Sequence, residues 1–242
     1  MHINDLPTPA VVIDIAALRK NIATMADVHP GKRLRPHVKA HKCSGLAAEQ
    51  EGAGHNSFTC ATPREVLGMI HAGVGNDFLL ANEVLDPRRL EALASAQDQA
   101  LITLAIDSEE TLDAAERAGI QNIMIDVNVG LPRCGCDPSI AGRLADSARV
   151  RGMTVRGVMG YEGHLMMVND REEKKKNVRD AMSILALAHE DVGGDIVSAG
   201  GTGTYDMFAG TTVNEVQAGS YTLMDTQYAQ LGIPFVLAMW VV

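Results

Sequence analysis

Short apolar runs alternate with amphipathic stretches along most of this chain. The runs at 57–61, 77–81, 101–106 and 123–127 are too short for typical helices and are rich in the apolar residues of buried strands. The stretches between them carry apolar residues at helical spacing, open on capping residues or proline, and close on glycine. This alternation predicts a parallel α/β fold.

The same pattern extends the series in both directions. Further strands are predicted at 155–160, 196–199 and 215–218, and the series begins with a strand at 34–39, where Pro36 disfavours a helix. These eight strands span about 185 residues, and a helix or helical turn follows each of the first seven. The economical architecture is a (β/α)8 TIM-type barrel, and an open doubly wound sheet is the competing arrangement.

Composition and charge narrow the function. The 242 residues are 46% apolar and carry a formal net charge of −9, so no basic surface is predicted to bind nucleic acid or an anionic membrane. The longest apolar run, 233–242, is too short to cross a bilayer. The four cysteines lack zinc-ribbon spacing and no secretory leader is recognisable, so we expect a reduced, cytoplasmic protein that acts on small molecules. The Cys134-Gly-Cys136 spacing could bind a metal, but a lone pair of this kind is more often structural.

The stretch from Arg35 to Lys42, with the sequence RPHVKAHK, concentrates titratable groups in a short segment. Lys39 is predicted near the carboxyl end of the first strand, where a barrel places its active site. Neighbouring cations and low-dielectric walls would lower the pKa of its ammonium and make the neutral amine available as a nucleophile. The alternative is a solvated basic turn. Lys174–Lys176, on a long predicted helix, is assigned to the solvated face of that helix.

A second informative stretch, SAGGTGTY at 198–205, follows the seventh predicted strand. Its glycines let backbone approach a ligand, and a short helix beginning near Thr204 would direct N–H groups at an anion. Barrels commonly bind phosphate at this position, and Gly219 and Ser220, after the eighth strand, would complete the site. We therefore expect a phosphate cradle here.

These stretches together resemble the fold-type III pyridoxal-phosphate enzymes of the alanine racemase N-terminal domain superfamily, and within them the D-threonine aldolase and D-serine dehydratase group. The resemblance covers essentially the whole chain. It is carried by RPHVKAHK at 35–42, LPRCG at 131–135, GYEGH at 160–164, GGTGTY at 200–205 and QAGSY at 217–221.

The resemblance implies a cofactor, pyridoxal 5′-phosphate, and a set of site residues. Lys39 would form the Schiff base and carry the proton at the substrate α-carbon, with Tyr161 and Arg133 as further catalytic residues against the cofactor ring. His37 would orient Lys39 or a cofactor oxygen, whereas His41 and His164 receive no definite role. The residues expected to hold the phosphate are Thr202, Gly203, Gly219 and Ser220.

Members of this group resemble two-domain dimers in which a β-rich domain follows the barrel. We therefore expect 1–230 to be the barrel and 231–242 to begin a C-terminal β-domain that is otherwise absent, with Val11–Ile13 belonging to the same sheet. A homodimer is expected. A divalent metal is also compatible with the resemblance, but the family's ligands lie beyond this chain, so no metal ligand is assigned.

The expected function is a pyridoxal-phosphate-dependent lyase that acts on D-3-hydroxy amino acids, either as an aldolase or as a dehydratase. An amino acid racemase is one alternative, although racemisation needs a second proton carrier on the opposite face. A non-catalytic single-barrel protein that holds the cofactor is another, and an inactive fragment is the third.

Overall fold

The structure is a computed structural model that describes residues 2–242. The strands in these residues are β1 (Val11–Ile13), β2 (Ser57–Cys60), β3 (Asp77–Leu80), β4 (Leu101–Ile106), β5 (Asn122–Asp126), β6 (Thr154–Gly160), β7 (Ile196–Ala199), β8 (Glu215–Val216) and β9 (Met239–Val241). The α-helices are α1 (Ile15–Val28), α2 (Ser44–Gly52), α3 (Pro63–His71), α4 (Pro87–Ala94), α5 (Glu109–Ala118), α6 (Ala141–Val150) and α7 (Arg171–Val192).

Local capping residues determine where several helices begin and end. The Asp14 carboxylate accepts the first backbone N–H groups of α1, and the Thr62 hydroxyl accepts an N–H in the first turn of α3. Ser108 and Thr111 form a reciprocal capping box at the start of α5. That helix ends at Gly119, whose φ of +80° is a left-handed conformation that favours glycine.

The strands β2 to β8 form one parallel sheet in sequential order, and the extended segment 34–37 connects its two edges. Leu34 pairs with Val216 on one side, and His37 pairs with Thr59 on the other. The barrel of the expected type is thereby confirmed. The doubly wound sheet is excluded because its strand order would reverse part-way.

The prediction of a full strand at 34–39 is wrong in its detail. Only isolated bridges form, because Pro36 has no N–H to donate and because a 3-10 turn, Val38–Ala40, ends the extended segment. Lys39 therefore lies in this turn and not on a strand. The short helix predicted near Thr204 is also absent from the described residues, and turns occupy 202–206 instead.

Two hydrophobic layers hold the barrel together. The larger one packs the helices against the outside of the sheet, and Leu18, Phe58, Phe78 and Leu90 are among its fully buried members. The smaller one fills the barrel interior with Leu79, Ala105, Met124 and Met159. Because this inner layer closes the barrel across its middle, the two ends of the barrel are separate environments.

A polar floor lies below the inner layer, where the strands begin. It surrounds a cavity of about 790 Å³. Arg35 is 2% exposed and pairs with Asp77 at 3.0 Å and with Glu215 at 2.9 Å. Arg156 pairs with the same Asp77 at 2.7 Å. The charges of Arg35 and Arg156 are therefore balanced by Asp77 and Glu215.

The strands β1 and β9 form a separate two-stranded antiparallel sheet with exposed side chains, Val11 and Trp240 among them. This pairing agrees with the expectation that 11–13 and the last residues share a sheet. The division of the chain at residue 230 stays a prediction. Within 2–242, no helix combines the length and the hydropathy needed to cross a membrane.

Candidate active site

The turn that carries Lys39 lies at the carboxyl end of the barrel. It begins directly after His37, whose Nδ1 accepts the backbone N–H of Lys39 at 3.4 Å. His37 thus caps the turn, in place of the predicted arrangement on a shared strand face. The backbone N–H of His41 donates to the Val38 carbonyl, and this hydrogen bond closes the turn. The Lys39 side chain is left facing a cleft of about 60 Å³.

The ring of Tyr161, directly after β6, lies between two cations. The Lys39 ammonium is 5.4 Å from the ring centroid, and the Arg133 guanidinium carbon is 5.5 Å from it. Both distances are within the range in which an aromatic face attracts a cation. The three residues predicted to be catalytic therefore lie together, although they come from three separate loops.

The electrostatics of the cleft shift Lys39 toward its neutral form. Burial of the surrounding turn lowers the pKa of Lys39, and the positive charge of Arg133 lowers it further, against a smaller opposing effect of Glu65. Burial and then the Lys39 charge hold the pKa of His37 well below its usual value, so this imidazole is neutral. Burial raises the pKa of Tyr161, so its hydroxyl stays protonated.

The glycine-rich turn at 200–204 forms the opposite side of the cleft. The N–H of Gly200 donates to Glu162, and the N–H of Gly201 donates to the Thr204 hydroxyl. By contrast, none of the hydrogen bonds described for residues 2–242 uses the backbone N–H of Thr202 or Gly203 as donor. These N–H groups are free to bind an anion.

The segment at 217–221 completes this side. A side chain at Gly219 would overlap the carbonyl of His37, so glycine is required where the two loops meet. The N–H groups of Gly219 and Ser220 also donate no described hydrogen bond. Thr202 is held in place because its hydroxyl accepts the N–H of Tyr221 at 2.9 Å.

A buried chain of polar side chains connects this segment to the lysine turn. Gln50 donates to the Tyr221 hydroxyl at 2.8 Å, and its amide oxygen lies 3.3 Å from His41 Nε2. His41, which had no predicted role, is thus tied to the glycine-rich side of the cleft. His164 is exposed at the rim and has no such connection.

The cleft brings together most of the predicted site residues and adds others. Gly203 is buried next to the cleft but does not line it. Tyr228 and Gln217 line it and had no predicted role; Tyr228 comes from a segment without a recognisable motif, so only the fold reveals it. The predicted residues that line the cleft are His37, Lys39, Arg133, Tyr161, Thr202, Gly219 and Ser220.

Next to Arg133, three further side chains could hold a divalent cation. Glu83, Asp126 and Cys134 offer ligand atoms that all lie within 4.8 Å of one another. Burial and the nearby Glu83 raise the pKa of Asp126 well above its usual value. Sequence reasoning assigned no metal ligand and missed this group, because Glu83 follows β3 whereas Asp126 ends β5 and Cys134 lies in the loop after it.

Comparison with known proteins gives the architecture a name. The alanine racemase N-terminal domain matches residues 13–227. The chain belongs to this family. The fold agrees: the structure of D-threonine aldolase from Filomicrobium marinum superimposes with a TM-score of 0.90 and 32% identity, over 99% of this chain and 69% of that one.

The similar proteins of this family include lyases. D-threonine aldolase from Arthrobacter sp is 33% identical over 237 residues, which are 91% of this chain and 62% of that enzyme. D-threo-3-hydroxyaspartate dehydratase from Delftia sp. (strain HT23) is 27% identical over 94% of this chain and 64% of its own length. The chain thus spans less than two thirds of these curated relatives.

Proposed function

We propose that this chain is the barrel of a pyridoxal-phosphate-dependent lyase that acts on D-3-hydroxy amino acids. One observation carries the proposal: the cleft has a lysine of lowered pKa on one side and backbone N–H groups without acceptors on the other. A flat ligand that carries an aldehyde and a phosphate would bind the lysine through its aldehyde and the N–H groups through its phosphate. The names of the similar aldolases and dehydratase support the substrate class.

The residues present fit the cofactor. Lys39 would bind its aldehyde, and Tyr161 and Arg133 would contact the ring region. The neutral imidazole of His37 would cap the turn that carries Lys39. The phosphate would be held by Thr202, Gly203, Gly219 and Ser220. When bound, pyridoxal phosphate supplies an electron sink for negative charge at the substrate α-carbon.

Each of the predicted catalytic residues has a task in this proposal. Lys39 Nζ, partly neutral because its pKa is lowered, would accept the proton from the substrate α-carbon. Arg133 keeps that pKa low and offers a guanidinium to an anionic oxygen. The Tyr161 ring, whose centroid is 5.4 Å from the Lys39 ammonium, would pack against the cofactor ring.

The test is the absorbance of the purified protein with pyridoxal phosphate, for wild type and Lys39→Ala. A lysine-bound cofactor should give a band at about 420 nm that borohydride abolishes. We expect the band in wild type and not in Lys39→Ala. Lys176→Ala, which changes an exposed lysine of α7, is the matched control and should keep the band. A wild type without the band contradicts the proposal.

Turnover then separates the alternatives. The protein is incubated with D-threonine, D-serine, D-threo-3-hydroxyaspartate and D-alanine, with and without Mn²⁺, because departure of a β-hydroxyl is helped by a Lewis acid. Glycine and an aldehyde identify an aldolase, and ammonia identifies a dehydratase. An intact band with interconversion of alanine enantiomers would favour a racemase, and an intact band with no product would favour the non-catalytic carrier.

The cellular setting and the assembly are part of the same proposal. The four cysteines are free thiols, which agrees with a reduced cytoplasm. A homodimer is proposed from the resemblance, and sedimentation equilibrium tests it. A monomer at micromolar concentration would contradict the dimer without affecting the cofactor proposal.

A further inference from the structure

The glycine-rich turn is held from behind by two buried ionisable side chains that do not line the cleft. Glu162 is fully buried, and Lys174 is only 4% exposed. Neither has a role in the proposed chemistry. The prediction that Lys174 lies on the solvated face of α7 is therefore wrong, because this side chain points into the protein.

Glu162 fixes the two ends of the turn. One carboxylate oxygen accepts the N–H of Gly200 at 3.2 Å, and the other accepts the Thr204 hydroxyl at 2.6 Å. The residues between these ends include Thr202, which lines the cleft and whose N–H donates none of the described hydrogen bonds. Glu162 therefore sets the shape of the turn.

Lys174 fixes the middle of the turn. Its ammonium donates to the Met166 carbonyl at 3.0 Å and to the Gly203 carbonyl at 3.3 Å. The packing at this point is close, since a Cβ on Gly203 would lie 2.5 Å from the Met166 carbonyl oxygen. The cation thus sits directly behind the residue that follows Thr202.

The charge of Lys174 has no ion-pair partner among the described residues. The charged groups that act on Lys174 are Arg171 and Asp206, and these two pair with each other. An ammonium buried against carbonyl groups alone costs folding free energy that an apolar side chain of similar size would avoid. A dianionic group bound on the other side of the turn would offset that cost, because the two charges would attract across a region of low dielectric.

We propose that Lys174 makes this turn selective for a ligand that carries a phosphate, and that it does so from behind Gly203 without touching the ligand. It is a positioning residue that adds positive potential to the N–H groups of the turn. The inference rests on the proposed function, because it takes the cofactor to be the phosphate-bearing ligand.

The experiment compares pyridoxal phosphate with pyridoxal, which has the same aldehyde but no phosphate. Apparent Kd values for both are measured by absorbance titration for wild type, Lys174→Met and the control Lys176→Met. We expect Lys174→Met to weaken binding of pyridoxal phosphate about 10- to 100-fold, because a positive charge behind the turn is lost in a region of low dielectric, and to change pyridoxal binding less than about twofold. The control should match wild type for both ligands.

A second variant separates charge from hydrogen bonding. Lys174→Gln retains a donor for the two carbonyl groups, so it remains informative if Lys174→Met does not fold, as judged by circular dichroism. It should show the same selective loss, whereas Lys174→Arg should restore most of the affinity for pyridoxal phosphate. Equal losses for both ligands, or no loss for either, would overturn the inference. If the wild type binds neither ligand, the proposed function itself fails.

Discussion

At the amino-terminal end of the barrel, two arginines hold one carboxylate between them, and Arg35 reaches a second carboxylate as well. At the carboxyl-terminal end, Lys39 and Arg133 flank an aromatic ring, and neither forms an ion pair with a described carboxylate. Both ends are polar and both contain cations. Arg35 and Arg156 are paired with carboxylates, whereas Lys39 and Arg133 are not.

The two cavities differ in volume, and the larger one is not at the candidate active site. The floor surrounds about 790 Å³, whereas the cleft at Lys39 measures about 60 Å³. Cavity size alone would therefore place a ligand at the floor. The ion pairs of the floor stabilise the fold. The unpaired Lys39 and Arg133 mark the cleft as the candidate active site.

The largest expected effect is a loss of stability when the ion pairs of the floor are disrupted. Arg35→Met should lower the free energy of unfolding by about 3–5 kcal/mol, because it leaves the buried Glu215 carboxylate without its cation and removes one of the two cations of Asp77. Urea denaturation monitored by circular dichroism measures this loss. Arg133→Met, at the exposed rim of the cleft, should stay within about 0.5 kcal/mol of wild type. Similar losses for both variants would contradict the conclusion that the floor stabilises the fold and the cleft does not.

The next effect concerns the pH dependence of the floor. Burial tends to raise the pKa of Asp77, but Arg156 and Arg35 outweigh it and lower this pKa to about 2. A depressed pKa contributes stability that is present above the unfolded value of about 4 and is lost as pH falls through about 2. We expect this contribution to be about 2 kcal/mol. The stability difference between wild type and Asp77→Asn should therefore narrow between pH 5 and pH 2, and a constant difference would argue against it.

A smaller effect tests the cleft. Arg133→Met should raise the pKa of Lys39, since it removes a neighbouring positive charge. Less neutral amine would then be available at pH 7, and capture of pyridoxal followed by borohydride should slow by up to about tenfold. Peptide mass spectrometry measures modification at Lys39. Arg143→Met, an exposed change on α6, is the control, and an unchanged rate in Arg133→Met would contradict the proposed coupling.

The smallest effect concerns the acidic group beside the cleft. Burial raises the pKa of Cys134 to about 11, with a further contribution from Asp126, whose carboxylate lies 3.5 Å from the sulfur. Cys134 should therefore react with iodoacetamide more slowly than the exposed Cys43 at pH 8. Asp126→Asn should accelerate the reaction at Cys134 several-fold. An equal rate in wild type and variant would show that Asp126 does not influence the thiol.

Much of the fold was predictable because its signals are local. The capping box at Ser108 and the glycine at 119 are set by neighbours in the chain, and the structure confirms the helix that they bound. The lysine turn was located, but not its conformation. Pro36 removes a ladder hydrogen bond and His37 caps a turn, so the predicted strand is reduced to isolated bridges.

The site was predictable only where it carries a motif. Lys39, Tyr161 and Arg133 each lie in a recognisable stretch, and the structure places them within one cleft. Tyr228 comes from the segment after β8. Glu83 follows β3, whereas Asp126 and Cys134 belong to β5 and the loop after it, so the two parts of this group become neighbours only when the barrel closes. Nothing in the local sequence distinguishes them from other rim residues.

The sequence by itself determined the order of strands and helices, the glycines of the turn at 200–204 and the lysine of the first loop. These depend on periodicity, on capping and on backbone freedom, which act over a few residues. The tertiary structure decided which charges are paired. Lys174 looks like its exposed neighbours in sequence, yet folding buries it behind Gly203, because the loops after β6 and β7 meet there. Burial and pairing depend on residues distant in the chain, and they distinguish the floor from the site.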